Sequence, residues 1–155
     1  MVRSWYELNE IDSSKIRFVV MITEYHNQIL LIRNKKRQLW ELPGGKREEG
    51  EDLIHAAGRE LYEETGTVQS ELTPFGVYLM NGSYGMNFYA KINVLGPLPD
   101  YEIEEIKFVT ELPENLYYGS IFYEIYERWK GQDHQKLATY TYNYNDNQAC
   151  MKFKQ

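Results

Sequence analysis

A run of carboxylates makes one stretch of this sequence chemically unusual. The segment GGKREEGEDLIHAAGRELYEETG, residues 44–66, contains seven acidic residues and places Glu60, Glu63 and Glu64 within about one turn of a helix. Like charges three or four residues apart destabilise a helix. The simpler interpretation of such a run is a solvated acidic face. A hard divalent cation would instead relieve the repulsion, because Mg²⁺ prefers oxygen ligands and Mn²⁺ shares that preference.

The residues around these carboxylates predict the helix that would carry them. Ile54, Ala57 or Gly58, and Leu61 recur at a spacing of three to four residues, which is the period of a helix with one apolar face. Asp52 stands where an N-cap residue is expected, and Gly66 stands where a glycine would end the helix. We therefore expect one helix face to enter the core and another face to carry the charge.

Strand patterns lie on both sides of this helix. Residues 16–22 and 28–33 indicate a hairpin, and QLWELPGG indicates a short strand that ends in a sharp turn. After the helix, FGVYLM and MNFYAKINVL predict a second hairpin, followed by a strand at EIKFVT and an amphipathic helix in LYYGSIFYEIYERWKG. This order predicts an α/β fold with a mixed sheet between helices.

The chain has the length of one domain, so we expect a single domain over residues 1–155 with its core at about residues 16–130. The tyrosine-rich tail, residues 132–155, could begin with an added edge strand. Its polar end is typical of a frayed terminus.

The spacing of the charged residues resembles the Nudix box. That box reads glycine, five residues, glutamate, seven residues, Arg-Glu, an aliphatic residue, one residue, Glu-Glu, one residue and glycine; it is matched here by Gly45, Glu51, Arg59, Glu60, Leu61, Glu63, Glu64 and Gly66. Seven fixed residues at roughly one in fifteen each give a chance match of about one in 10⁸ per starting position. The aliphatic residue expected next is Thr67 in this chain. Outside the box the likeness is loose and extends over about residues 16–130.

Resemblance to Nudix hydrolases implies a Nudix-type α/β/α sandwich and metal-assisted hydrolysis of a phosphoanhydride bond. At the matching positions, Glu60, Glu63 and Glu64 would be metal ligands, and Glu60 would also orient or deprotonate the attacking water. The Gly44 carbonyl would be a further ligand. Arg59 would hold the glutamates through charge-assisted hydrogen bonds. The protein would then mainly position groups for in-line attack.

A further acidic residue often comes from outside the box in this family. Glu102, Glu104 and Glu105 are the candidates, and we favour Glu105 because it lies three residues before Phe108. A solvated acidic loop is the alternative interpretation of the same residues.

Two groups of residues are candidates for binding the rest of a substrate. Arg33 belongs to a basic cluster, completed by Lys35, Lys36 and Arg37, that could steer phosphates into the site. Tyr78 and Phe88, on the second hairpin, could stack on a nucleobase. The alternatives are a solvated turn for the basic cluster and ordinary packing for the aromatic residues.

The charge balance argues against a nucleic-acid polymer as partner, since 17 basic and 23 acidic residues give a net charge of −6. The single cysteine, Cys150, fits a reducing compartment. The sequence shows no secretory signal pattern and no apolar stretch of about eighteen residues, so it predicts a cytoplasmic protein that does not bind membranes. No oligomeric state follows from the sequence.

The leading functional hypothesis is an Mg²⁺-dependent hydrolase that converts an ordinary or oxidised nucleoside triphosphate to the monophosphate and pyrophosphate, as the MutT-like enzymes of the family do. ADP-ribose, a dinucleoside polyphosphate or a nucleotide sugar would use the same chemistry. A non-catalytic nucleotide-sensing module is the alternative of another class, because a fold does not dictate a function. Such a module would be expected to lose some of the box glutamates, whereas this chain keeps all of them.

Overall fold

A computed structural model describes residues 3–152 and shows ten strands and two α-helices within that range. The strands are β1 (Arg3–Tyr6), β2 (Ile16–Tyr25), β3 (Gln28–Asn34), β4 (Trp40–Glu41), β5 (Gly44–Lys46), β6 (Thr67–Met80), β7 (Ser83–Leu95), β8 (Ile103–Val109), β9 (Thr139–Asn143) and β10 (Gln148–Lys152). The helices are α1 (Leu53–Thr65) and α2 (Ser120–Lys130), and short 3₁₀ turns occur at Ser13–Lys15 and His134–Lys136.

The strands form one mixed sheet. Its main order is β10-β9-β6-β7-β2-β3-β4, while β1 pairs with β6, β5 pairs with β2, and β8 pairs with β3. The pairing of β2 with β7 is parallel, and the other pairs are antiparallel. The predicted mixed sheet is therefore confirmed.

Two predicted hairpins are present, and each turns at residues with positive φ. His26 and Asn27 join β2 to β3 with φ of 50° and 64°. Asn81 and Gly82 join β6 to β7 with φ of 52° and 79°. Two-residue turns of this kind match the twist of antiparallel strands and favour asparagine and glycine.

The helices cover opposite faces of the sheet. Leu61 of α1 packs in one core cluster with Met86 and Phe88 of β7. Tyr89, which follows on the same strand and points the other way, stacks on Trp129 of α2 at 4.2 Å between ring centroids. The alternation along β7 thus separates two apolar layers, which confirms the α/β/α sandwich.

Residues after α2 differ from a frayed terminus. β9 pairs with β6, and β10 pairs with β9 over Gln148–Lys152. The antiparallel partner satisfies backbone groups of β10 that would otherwise bond to water. The last three residues of the predicted tail, 153–155, lie outside the described residues.

The two helices of the described chain have 13 and 11 residues, and neither is long and apolar enough to cross a membrane.

Candidate functional site

Helix α1 begins and ends where its sequence predicts. The Asp52 side chain accepts a hydrogen bond from the His55 N–H at 2.9 Å, so it acts as the N-cap. Gly66 ends the helix in the left-handed conformation, with φ of 87°. A Cβ at Gly66 would lie 2.4 Å from the Pro97 carbonyl oxygen, so this position needs glycine for space as well as for conformation.

Arg59 is the centre of an ion-pair network on α1. Its guanidinium lies 2.7 Å from Glu51, 3.0 Å from Glu60 and 3.2 Å from Glu63. It also donates to the Lys46 carbonyl at 3.0 Å, which connects the helix to β5. The side chain is 16% exposed, so these pairs are only partly screened by water. Arg59 therefore pairs with three glutamates of the box, and its role in holding them for a cation stays a prediction.

The segment LPGGK, residues 42–46, which we call the glycine loop, precedes the helix and lies directly against the glutamates. The Gly44 N–H donates to Glu64 Oε1 at 2.8 Å. A Cβ at Gly45 would lie 2.3 Å from the carboxylate carbon of Glu60, so any larger residue would displace that side chain. β5 reaches this place because it pairs with β2 through Val20 and Gly44. The loop and the helix thus form one site although 15 or more residues separate them.

Burial and mutual repulsion disfavour the charged forms of two glutamates. Burial raises the pKa of Glu60 to about 7; Arg59 lowers this pKa, while Glu63 and Glu102 raise it further. Burial also raises the pKa of Glu64 well above its usual value, against the lowering effect of the hydrogen bond from Gly44. The hydrogen bonds and the positive charge near these two carboxylates therefore do not fully offset the cost of burying them in the charged form.

The donor set fits a divalent cation. The one positive charge of Arg59 forms ion pairs with four carboxylates, those of Glu48, Glu51, Glu60 and Glu63. Within residues 3–152, no cationic side chain pairs with Glu64 or Glu102, which line the same cavity of about 290 Å³ as Glu60 and Glu63. A hard cation with oxygen ligands would balance this excess charge. Glu60 and Glu63 accept hydrogen bonds from Arg59, and Glu64 accepts one from the Gly44 N–H. Within the described chain, no three acidic, His or Cys side chains already surround one point.

A larger cavity opens beside the carboxylates. Its volume is about 440 Å³, and its walls come from β2, β6, the glycine loop and α2. Tyr78, Phe122 and Ile125 provide part of an apolar lining, whereas Lys46 and Arg37 provide positive charge. Three glutamates line both cavities: Glu60, Glu64 and Glu102. The carboxylates therefore lie where the two cavities meet.

The acidic residue outside the box is placed differently from our expectation. Glu102 lines both cavities, whereas Glu105 is not among the lining residues and pairs with Arg33 across the β3–β8 ladder. Arg33 also pairs with Glu104 at 2.8 Å and lies over the Trp40 ring. The Glu105 and Arg33 side chains neutralise each other on the sheet, so the structure does not bring either of them to the site.

Two more members of the predicted basic cluster, Lys35 and Arg37, are also paired with carboxylates. Lys35 lies 2.9 Å from Asp100, and Arg37 makes two hydrogen bonds of 2.9 Å with the buried carboxylate of Glu41. Arg37 nevertheless remains in the wall of the larger cavity. Three of the four basic residues, Arg33, Lys35 and Arg37, are therefore engaged with carboxylates.

The two aromatic candidates point to opposite faces of the sheet. Tyr78 lines the larger cavity and lies over Gly85, where a Cβ would be 2.3 Å from the ring. Phe88 is fully buried in the core beside α1, so it cannot stack on a nucleobase, and that expectation is wrong. The reason is strand alternation, because Phe88 lies three positions after Gly85 on β7 and therefore points to the opposite face.

Asn87 is a buried polar residue that no pattern in the sequence indicates. It lies on the face of β7 that packs toward α2. It is 1% exposed, and neither its amide nitrogen nor its amide oxygen has a hydrogen-bond partner among the described residues. It pairs in register with Val20, which lines the larger cavity. An unsatisfied buried amide is costly and calls for an explanation. Only the register of β7, which the turn at Asn81 and Gly82 sets, could have indicated its position.

Comparison with known proteins identifies the family. A family model described as NUDIX domain matches residues 13–116, which is more than half of the chain. The matched range contains α1 and the whole box. The chain therefore belongs to the NUDIX domain family.

Individual relatives agree with this assignment. The crystal structure of a mutant of the Bacillus subtilis pyrophosphohydrolase BsRppH has a TM-score of 0.71 and 26% identity, over 83% of this chain and 89% of that chain. The RNA pyrophosphohydrolase of Rhizobium meliloti (strain 1021) is 66% identical over 29 residues, or 19% of this chain and 17% of that protein. The 8-oxo-dGTP diphosphatase of Buchnera aphidicola is 39% identical over 49 residues, or 31% of this chain and 40% of that protein. The chain thus spans two fifths or less of the length of these two curated relatives.

The raised pKa of Glu60 predicts how stability depends on pH without divalent cations. Folded Glu60 has a pKa of about 7 and unfolded glutamate one of 4.5, so the folded state binds more protons in this window and loses stability as pH rises through it. Thermal unfolding in chelator should therefore give a lower Tm at pH 7.5 than at pH 5.5, and Glu60→Gln should reduce the difference. The same Tm difference in wild type and Glu60→Gln would contradict this assignment.

Proposed function

We propose that this protein hydrolyses a phosphoanhydride bond in a nucleoside diphosphate derivative. The observation that carries this proposal is the shared position of Glu60, Glu64 and Glu102 at the junction of two cavities. A diphosphate at the carboxylates, bridged to them by a cation, would leave the nucleoside room in the larger cavity. Membership of the NUDIX domain family supports the same reaction class.

The cation would be Mg²⁺, with Mn²⁺ as the alternative. When bound, it would neutralise charge on the diphosphate and lower the pKa of water. We propose Glu60, Glu63 and Glu64 as its side-chain ligands and the Gly44 carbonyl as a backbone ligand. Glu102 replaces Glu105 as the further acidic residue, because it lines both cavities.

The side chains around the cavities can perform the remaining tasks. A water oxygen would form a bond to phosphorus as the bridging P–O bond breaks, and Glu60 would accept the proton of that water. Lys46 and Arg37, in the wall of the larger cavity, can contact phosphate oxygens. Arg59 would keep the side chains of Glu60 and Glu63 oriented by donating hydrogen bonds to them.

The preferred substrate would be an ordinary or oxidised nucleoside triphosphate, cleaved to the monophosphate and pyrophosphate. The larger cavity, about 440 Å³, has room for a base beside Tyr78 and Phe122. A relative named 8-oxo-dGTP diphosphatase supports this choice. ADP-ribose, dinucleoside polyphosphates and nucleotide sugars are alternatives, and the cytoplasmic location stays a prediction.

A second candidate substrate is the 5′-triphosphate end of an RNA. It is favoured by the local match to the RNA pyrophosphohydrolase of Rhizobium meliloti. The charges argue against extended contact with a polymer, because Arg33, Lys35 and Arg37 are paired with carboxylates. The nucleoside triphosphate is therefore the leading proposal.

A substrate panel tests the proposed reaction. Phosphate and pyrophosphate release should be measured with Mg²⁺ for ordinary and oxidised nucleoside triphosphates, 5′-triphosphorylated RNA, ADP-ribose, dinucleoside polyphosphates and nucleotide sugars. We expect a nucleoside triphosphate to be preferred and Glu63→Gln to lower its turnover by orders of magnitude. A folded, Mg²⁺-binding protein that is silent across the panel would instead favour a non-catalytic sensing module.

Glu102 and Glu105 form a matched pair for locating the further acidic residue. Glu102→Gln should lower kcat by roughly 10²-fold, the lower end of the range for one group in acid–base or charge-stabilising roles. Glu105→Gln should leave kcat near the wild-type value, because its charge is used against Arg33. The reverse order of effects would contradict the placement of Glu102.

The buried amide of Asn87 should lower the stability of the free protein. It lacks hydrogen-bond partners among the described residues and lines neither cavity. Asn87→Leu removes both amide groups at similar volume, so it should raise Tm while leaving KM and kcat near the wild-type values. A lower Tm, or a KM raised about tenfold, would contradict this prediction.

A further inference from the structure

The C-terminal hairpin lies against the outer side of α1, beyond the range 13–116 that the family model matches. β9 joins the sheet beside β6, and the Tyr144 N–H donates to the Val68 carbonyl at 2.9 Å. This fixes the turn between β9 and β10 next to the helix. We call residues 139–152, the two strands with their turn, the C-terminal clamp.

The clamp contacts α1 at three successive places. The His55 ring, in the first turn, meets the Tyr142 ring edge-on at 5.6 Å between centroids. In the middle, Gly58 leaves space for Tyr142, because an added Cβ would lie 2.1 Å from its Cδ1 atom. In the last turn, Tyr62 stacks on Tyr144 with 3.7 Å between centroids and 7° between planes. The contacts therefore extend along most of the helix.

A backbone contact strengthens the first of these places. His55 Nε2 lies 3.2 Å from the Asn147 carbonyl oxygen, and its Nδ1 lies 2.6 Å from the N-cap residue Asp52. The Tyr142 hydroxyl donates to Asn147 Oδ1 at 3.3 Å, which holds the turn to the strand. The imidazole is thus engaged with Asp52 and Asn147 and not with Glu60, Glu63 or Glu64.

The contacted face adjoins the residues of the site. His55, Gly58 and Tyr62 are spaced by three and four residues, so they share one side of the helix. Tyr62 immediately precedes Glu63, and Gly58 immediately precedes Arg59. A helix of 13 residues depends on tertiary packing for its order. Tyr142 supplies such packing, since it is 3% exposed and belongs to the core cluster that contains Leu61.

We propose that the C-terminal clamp positions the glutamates of α1 for the divalent cation. Tyr142 and Tyr144 are positioning residues, because they act through Gly58 and Tyr62 and line neither cavity. The stack on Tyr62 restrains the last helical turn, where Glu63 and Glu64 lie. This inference rests on the proposed function, because it assumes that the glutamates bind a cation.

The first test measures binding of Mn²⁺ alone to the full chain by electron paramagnetic resonance. Tyr144→Ala should weaken binding roughly tenfold, the lower end of the range for residues that support metal ligands. Tyr144→Phe keeps the stacked ring and should bind Mn²⁺ like wild type. Met151→Ala, at an exposed position on β10, controls for a general effect of changing the clamp. Melting curves establish first that each variant is folded at the assay temperature.

The second test changes the helix instead of the clamp. Gly58→Ala raises helix propensity but forces Tyr142 away, so it should weaken Mn²⁺ binding although the helix itself is favoured. In a Tyr142→Ala background the same change meets no ring and should have little further effect. This double-mutant cycle decides the matter even where Tyr144→Ala does not fold.

The outcomes separate this inference from the proposed function. Absence of Mn²⁺ binding and hydrolysis in wild type would overturn both. Binding in wild type with unchanged affinity in folded Tyr144→Ala and Gly58→Ala would overturn only the role of the clamp. An equal loss in Tyr144→Ala and Tyr144→Phe would also overturn it, since the ring would then not matter. Additive effects of Gly58→Ala and Tyr142→Ala would do the same.

Discussion

The site depends on the ion pairs that the Arg59 guanidinium forms with the surrounding carboxylates. The guanidinium lies within 3.2 Å of carboxylates from the helix and from the segment before it, and it reaches the backbone of β5 through Lys46. Arginine suits this task because its planar fork donates several hydrogen bonds in fixed directions. One positive charge cannot balance all of these carboxylates. The same network that orders the site therefore leaves it with an excess of negative charge.

The fold places this excess charge where a substrate can reach it and supports the helix elsewhere. One side of α1 packs in the core through Leu53, Ala57 and Leu61. The C-terminal clamp covers a second side, and the carboxylates occupy a third, facing the glycine loop. The stability lost by gathering like charges is thus offset by an N-cap, a glycine end and packing on two sides.

The parts predicted from the sequence are those that local patterns determine. Asp52, Gly66 and the periodic apolar residues define α1 without knowledge of the rest of the chain, and the box spacing indicates its glutamates. Phe88 was misplaced because the face of a strand residue depends on register, and the Asn-Gly turn at residue 81 holds that information. Local patterns could not separate Glu102 from Glu105, because the pairing of β8 with the distant strand β3 places Glu105 opposite Arg33 and leaves Glu102 just before the strand. β1 pairs with residues more than 70 positions away, and no local pattern indicated it.

The proposed chemistry requires that the carboxylates of α1 bind a divalent cation. The most direct measurement is anomalous X-ray scattering from crystals soaked in Mn²⁺, which locates the ion independently of activity. We expect a peak within coordination distance of oxygens from Glu60, Glu63 and Glu64. In Glu63→Gln this peak should disappear or lose much of its occupancy. No peak between these side chains at saturating Mn²⁺, or a peak only at another place on the protein, would contradict the proposed cation site.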